Sequence, residues 1–141
     1  MDFKLTEDQQ AFQQTARDFA KSELPEAAQI CETEASPPTH ELIRKYGEMG
    51  FLGINVPEEY GGLGLGNIDA LIVLEEFAKI SSAIAFPVFE SCVGPVKAIE
   101  HFAEESLKKR VIPEVCSGDM IVAVAMSEPD AGSALTDLKT K

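Results

Sequence analysis

Tryptophan is missing from this 141-residue chain, cysteine occurs three times, histidine twice, and 12 basic residues stand against 24 acids. Each scarcity closes off a class of protein. Cys31, Cys92 and Cys116 are odd in number and widely spaced, with no CxxC and only His40 and His101 as possible co-ligands. Neither a disulfide framework nor a metal site is expected from them, and reduced, mostly buried thiols are. The net charge of −12 opposes phosphate backbones, which proteins bind largely through lysine and arginine, so nucleic acid and anionic membrane are poor partners. No stretch approaches the ~18 unbroken apolar residues of a membrane-spanning helix. The opening MDFKLTEDQQ lacks the basic start and apolar core of a secretory signal, and its early acids argue against a transit peptide. A cytoplasmic location is expected.

What is present is helical patterning. Thr6, Glu7, Asp8 and Gln9 have the form of a capping box, and Phe12, Ala16, Phe19 and Ala20 then recur at spacings of three and four. Gln13, Gln14, Arg17, Asp18 and Lys21 face away from that stripe. Pro25 is expected to end or kink this helix. Pro37 and Pro38 make a break, Thr39 caps a second helix to about Met49, and Gly50 stops it. The segment GFLGINVPEEYGGLGLG is too rich in glycine for a regular helix. NIDALIVLEEFAKI follows as a helix whose apolar residues, including Ile68 and Leu71, cover more than one face and predict burial. Further helical stretches run from about Ala83 to Phe102 and from about Glu104 to Ser117.

The end of the chain differs. Ile121 to Met126 is a short apolar run too brief for a helix and composed for a strand, and a turn rich in small and hydroxyl residues comes after it. A lone strand cannot satisfy its own main-chain donors and acceptors. The expected organisation is therefore a helical domain over residues 1–119, with residues 120–141 beginning a β-containing domain that this chain does not complete.

Several chemical motifs fail on inspection. If Gly62 and Gly64 open a dinucleotide fingerprint, its third glycine falls at Asn67, and no strand precedes it. The phosphate-loop ending is absent as well, leaving YGGLGLGN as a tight connection between helices. Ser133 is not in a GxSxG elbow. The adjacent pairs Glu75-Glu76 and Glu104-Glu105 point in different directions on a helix and read as solvated faces. SEPDAGS is more informative, because consecutive peptide N–H groups in such a turn can form an anion-binding concavity without lysine.

Taken in order, LTEDQQAFQQTARDFA, GFLGINVPEEYGGLGLG, IDALIVLEEFAKIS, PEVCSGD and AMSEPDAGS resemble the acyl-CoA dehydrogenase family along the whole chain. The resemblance implies an all-α N-terminal helical bundle ending in the first strand of an incomplete β-barrel domain; the C-terminal four-helix domain is not represented. Family members oxidise the Cα–Cβ bond of an acyl-CoA thioester with hydride transfer to FAD, and pass electrons on to an electron-transfer flavoprotein. By position, Val124, Ala125, Met126, Ser127, Gly132 and Ser133 would bind FAD, with Ser133 also touching the substrate. Residues around Phe89 to Val96 would wall the acyl pocket. The catalytic base is implied to lie outside this chain, and a homo-oligomer is implied for the intact protein. Two positions depart from the family pattern: Ser127 stands where threonine is usual, and Ala134 replaces an aspartate that could brace the turn. An acyl-CoA oxidase or flavin monooxygenase on the same scaffold is the alternative enzyme, and a non-catalytic helical interaction fragment the alternative outside enzymes.

Overall fold

A computed structural model describes residues 4–140. Six helices carry the fold: α1 (Glu7–Glu34), α2 (His40–Glu48), α3 (Asn67–Ala78), α4 (Ser82–Cys92), α5 (Pro95–Phe102) and α6 (Glu105–Ser117). Local chemistry sets their ends. The Thr6 hydroxyl accepts from the Gln9 N–H while the Gln9 side chain accepts from the Thr6 N–H, both at 3.2 Å, which closes the capping box. Thr39 caps α2 through the Leu42 N–H, and Gly50 and Gly118 take the left-handed conformation after α2 and α6.

Of the two outcomes the sequence allows at Pro25, an end to α1 does not occur; the helix runs through it for 28 residues. The apolar stripe continues past it through the buried Leu24, Ala28 and Cys31, while Pro25 and Lys21 are exposed, so water can reach the carbonyl that loses its helical partner. The helix stops instead at Ala35, which holds φ of 48° just before the Pro37-Pro38 pair.

The larger of two apolar clusters joins α1, α2, the following loop, α3 and α4 around Leu24, Ile43, Tyr46, Phe51, Phe77 and Ile84. The smaller one gathers Val56, Tyr60 and Val96 with Val111, Ile112 and Val115 of α6. The three cysteines are free and buried, and burial pushes the Cys116 thiol up to about 11, so thiolate chemistry is suppressed there. The glycine-rich loop folds on itself through bonds from the N–H groups of Leu63, Gly64 and Leu65 to the carbonyls of Gly53, Val56 and Ile54.

Helix α3 is buried on one face only, which corrects the expectation of general burial. Ile72, Val73 and Phe77 are enclosed, whereas Ile68 and Leu71 are more than half exposed. Glu76 departs from expectation in the other direction: it is 3% exposed. Its carboxylate accepts from Arg17 Nη2 at 2.9 Å and Nε at 3.1 Å, and from Lys79 Nζ at 2.9 Å. Arg17, which the periodicity turned outward, is therefore bent across to α3.

Arg17, and after it Lys79, hold the Glu76 carboxyl below the usual carboxylate range despite burial. Because its folded pKa is depressed, this group stabilises the fold above its unfolded value, and the contribution disappears as pH falls through the folded value. Between about pH 5 and pH 3, the melting temperature read by circular dichroism is expected to fall more for the native sequence than for Glu76→Gln. Equal losses in the two would show that the pair does not govern acid sensitivity.

Ser82–Phe102 has the length and mean hydropathy, 1.2, of a helix able to cross a membrane. It consists of two helices interrupted at Val93-Gly94, and 44% of its apolar stretch is buried within the protein. Beyond α6, residues 121–127 have no regular secondary structure. No strand forms among the described residues, and the main-chain groups of residues 121–127 make no hydrogen bond among them. The one β-bridge there pairs Glu128 with Ala131.

Candidate functional site

Residues 123–127 border a groove of about 470 Å³ whose opposite wall is the end of α4 and the start of α5. Gly94 makes that wall possible. A Cβ at this position would lie 2.8 Å from Phe89 Cε1, so any other residue would push the ring from its place. The Gly94 N–H donates to the Phe89 carbonyl at 2.8 Å, which closes α4, and Pro95 then opens α5 at a position where its missing N–H costs nothing. Phe86 and Phe89, one helical turn apart with ring centroids 5.4 Å from each other, form an exposed aromatic face.

Facing them are Val124 and Met126, both more than half exposed, and Ser127. The groove is therefore largely apolar, with one hydroxyl at the lip and one ionisable side chain, Glu90, on the helical wall. Glu90 is half-buried. Its carboxylate makes no hydrogen bond or ion pair among the described residues, and burial pushes the carboxyl above its usual range.

Three of the six residues expected to meet the cofactor, Val124, Met126 and Ser127, line this groove together with Phe89, Glu90, Gly94 and Pro95 from the expected acyl wall. Ala125 is exposed but does not line it. Gly132 and Ser133 lie past the turn formed when the Glu128 and Ala131 N–H groups donate to each other's carbonyls, at 2.8 and 3.2 Å, and neither reaches the groove. Ser91, Cys92 and Val96 belong to the buried faces of α4 and α5.

Sequence reasoning missed two acids. Glu90 falls within the expected wall, but between Phe89 and Ser91 nothing in the sequence singles it out. Glu128 was treated only as part of the turn. Its carboxylate accepts from the Lys139 and Thr140 N–H groups, both at 2.9 Å, and from the Thr140 hydroxyl. These contacts, the Thr140 hydroxyl foremost, lower its pKa. Glu128 thereby ties residues 139–140 back to the turn, a bracing role that the sequence assigned to the carboxylate missing at Ala134.

The helical body has counterparts among known proteins. A family model described as "Acyl-CoA dehydrogenase, N-terminal domain" matches residues 6–119. The chain is 36% identical over 135 residues to glutaryl-CoA dehydrogenase of Desulfococcus multivorans, covering 94% of this chain and 35% of that protein. The structure of a glutaryl-coenzyme A dehydrogenase in complex with glutaryl-CoA superposes with a TM-score of 0.89 at 35% identity, over 98% of this chain and 35% of that one. An acyl-CoA dehydrogenase from Bacillus anthracis complexed with FAD gives 0.84 at 28% identity, over 96% of this chain and 23% of that one. The chain belongs to the acyl-CoA dehydrogenase family. It spans about a third of the length of the curated relatives it matches, at their N-terminal domain.

Proposed function

We propose that this chain is the N-terminal part of an FAD-dependent acyl-CoA dehydrogenase, with residues 1–119 as its helical domain and residues 120–141 as the start of its middle β domain. The observation that carries this reading is the groove, where the segment expected to meet flavin and the segment expected to meet the acyl chain face each other. Residues on the lip suit such a cofactor. The main-chain groups of Ile121 to Ser127 are free of partners among the described residues, and the Ser127 hydroxyl can donate to a polar ring edge.

FAD, when bound, supplies the acceptor for the hydride leaving the acyl β-carbon. This chain's residues position and shield. Met126 and Val124 offer an apolar bed for a flat ring, and Phe86 and Phe89 wall the acyl chain and keep water from the reacting carbons. Gly132 and Ser133 would meet the cofactor's phosphates or the thioester from beyond the turn; Gly132 leaves that approach open, since nothing lies within 4 Å of where a Cβ would stand. The carboxylate that takes the α-proton lies in this reading outside residues 1–141. The partners proposed are an acyl-CoA, an electron-transfer flavoprotein as acceptor, and further copies of the intact subunit.

Anaerobic mixing with acyl-CoA tests it. The full-length flavoprotein bearing this segment is expected to bleach its flavin absorbance, and residues 1–141 alone, supplied with FAD, are not. Bleaching by the isolated segment, or none by the full-length protein with any acyl-CoA, refutes the proposal.

A further inference from the structure

We propose that Glu90 selects the class of acyl chain: neutral chains are admitted to the groove, and chains ending in an anionic group are turned away. This deepens the acyl-CoA reading above and rests on it. Three observations converge. Glu90 lines the groove from the last turn of α4, between the aromatic pair and Pro95. No lysine or arginine among the described residues lines the same groove. The carboxylate has no hydrogen-bond or ion-pair partner among the described residues, whereas two other enclosed glutamates are held by cations, Glu76 by Arg17 and Lys79 and Glu100 by Lys97.

A half-buried acid without a partner is costly to keep, since water solvates it only partly and no described residue returns a hydrogen bond. Structural packing gains nothing from it: glutamine or leucine would fill the same volume without the charge. Placed beside the chain path, it acts on whatever charge the substrate brings. Two like charges about 5 Å apart in a partly enclosed site disfavour binding on the order of a hundredfold. A methyl-terminated chain meets only the aromatic faces and Val124. The contrast is sharp because one relative's solved complex holds glutaryl-CoA, whose acyl chain ends in a carboxylate, and overall similarity alone would carry that substrate over.

The experiment compares pentanoyl-CoA with glutaryl-CoA, acyl chains of equal carbon number that differ in a terminal methyl against a terminal carboxylate. In the full-length flavoprotein, anaerobic bleaching shows whether each ester reduces the flavin, and steady-state turnover with an added electron acceptor that reoxidises it gives kcat/KM for each. The native protein is expected to favour pentanoyl-CoA by about a hundredfold, mostly through KM. Glu90→Gln is expected to shrink that ratio at least about tenfold, and Glu90→Asp, which keeps the charge, to retain most of it. A native protein that uses glutaryl-CoA as readily as pentanoyl-CoA overturns the inference, as does a ratio unchanged in Glu90→Gln. Loss of bleaching with both esters in a folded Glu90→Gln also overturns it, by placing Glu90 in the proton transfer. Failure of the native protein to bleach with either ester while another acyl-CoA bleaches it also overturns the inference; failure with every acyl-CoA is a different result, and defeats the acyl-CoA reading itself.

Discussion

Phe77→Ala is expected to lower the unfolding free energy of the helical domain by about 3–5 kcal/mol, the largest loss from any single side chain in it. The ring is fully buried and stands where three parts of the chain meet. Its centroid lies 5.0 Å from that of Tyr46 on α2, 5.3 Å from Phe51 in the following loop and 5.7 Å from Phe19 on α1. Alanine removes those contacts at once and leaves a cavity bounded by rings too large to collapse into it. Urea unfolding followed by far-ultraviolet circular dichroism measures the shift. Phe77→Leu, which keeps most of the volume, is expected to lose less than half as much. A loss below about 1 kcal/mol for the alanine variant would mean that the aromatic cluster is not the centre of the core.

Gly62→Ala is expected to cost about 3 kcal/mol or more, although it adds one methyl group. That methyl would sit 2.2 Å from the Val56 carbonyl oxygen and 2.6 Å from that of Gly53. Both obstacles are main chain, and both carbonyls accept hydrogen bonds that close the loop, from Gly64 and Leu63 respectively. Relief therefore requires the loop to open. Gly132→Ala is the matched control, with free space around the position, and should change stability by no more than about 0.5 kcal/mol. Thermal melts of the two variants side by side decide the matter: similar melting temperatures would mean that the loop yields easily.

Legibility in the sequence followed the range of the interaction. The caps at Thr6 and Thr39 and the stop at Gly50 involve residues within a few positions, and each is where the sequence places it. Glu76 could not be read in this way. Its burial depends on a guanidinium 59 positions earlier, and no local pattern records that pairing. The same holds for Ile68 and Leu71, which an apolar count assigns to the core but which α1 and α4 leave uncovered. At Pro25 local propensity was overruled by Leu24 and Ala28, whose packing anchors the helix on both sides of the missing hydrogen bond.

The candidate site divides along the same line. Met126, Ser127 and Phe89 came from resemblance, one segment at a time, and nothing in the order of residues says that the two segments share a groove. Glu90 carries no motif, and its significance appears only once its neighbours in space are known to be apolar and free of cations. Glu128 is similar: its carboxylate matters because residues 139–140 return to it.

The long first helix has a consequence for how the protein is made. Its apolar stripe, Ala16, Ala20 and Leu24, packs largely against α3 and α4, and the Arg17–Glu76 pair alone spans 59 positions. At ordinary translation speeds the ribosome needs roughly 3–12 s to add that many residues. Throughout that interval the nascent helix presents an uncovered greasy seam, and Thr6 and its neighbours can hold it helical without hiding it. A chaperone that grips short apolar stripes has its window there, and it closes when α3 emerges.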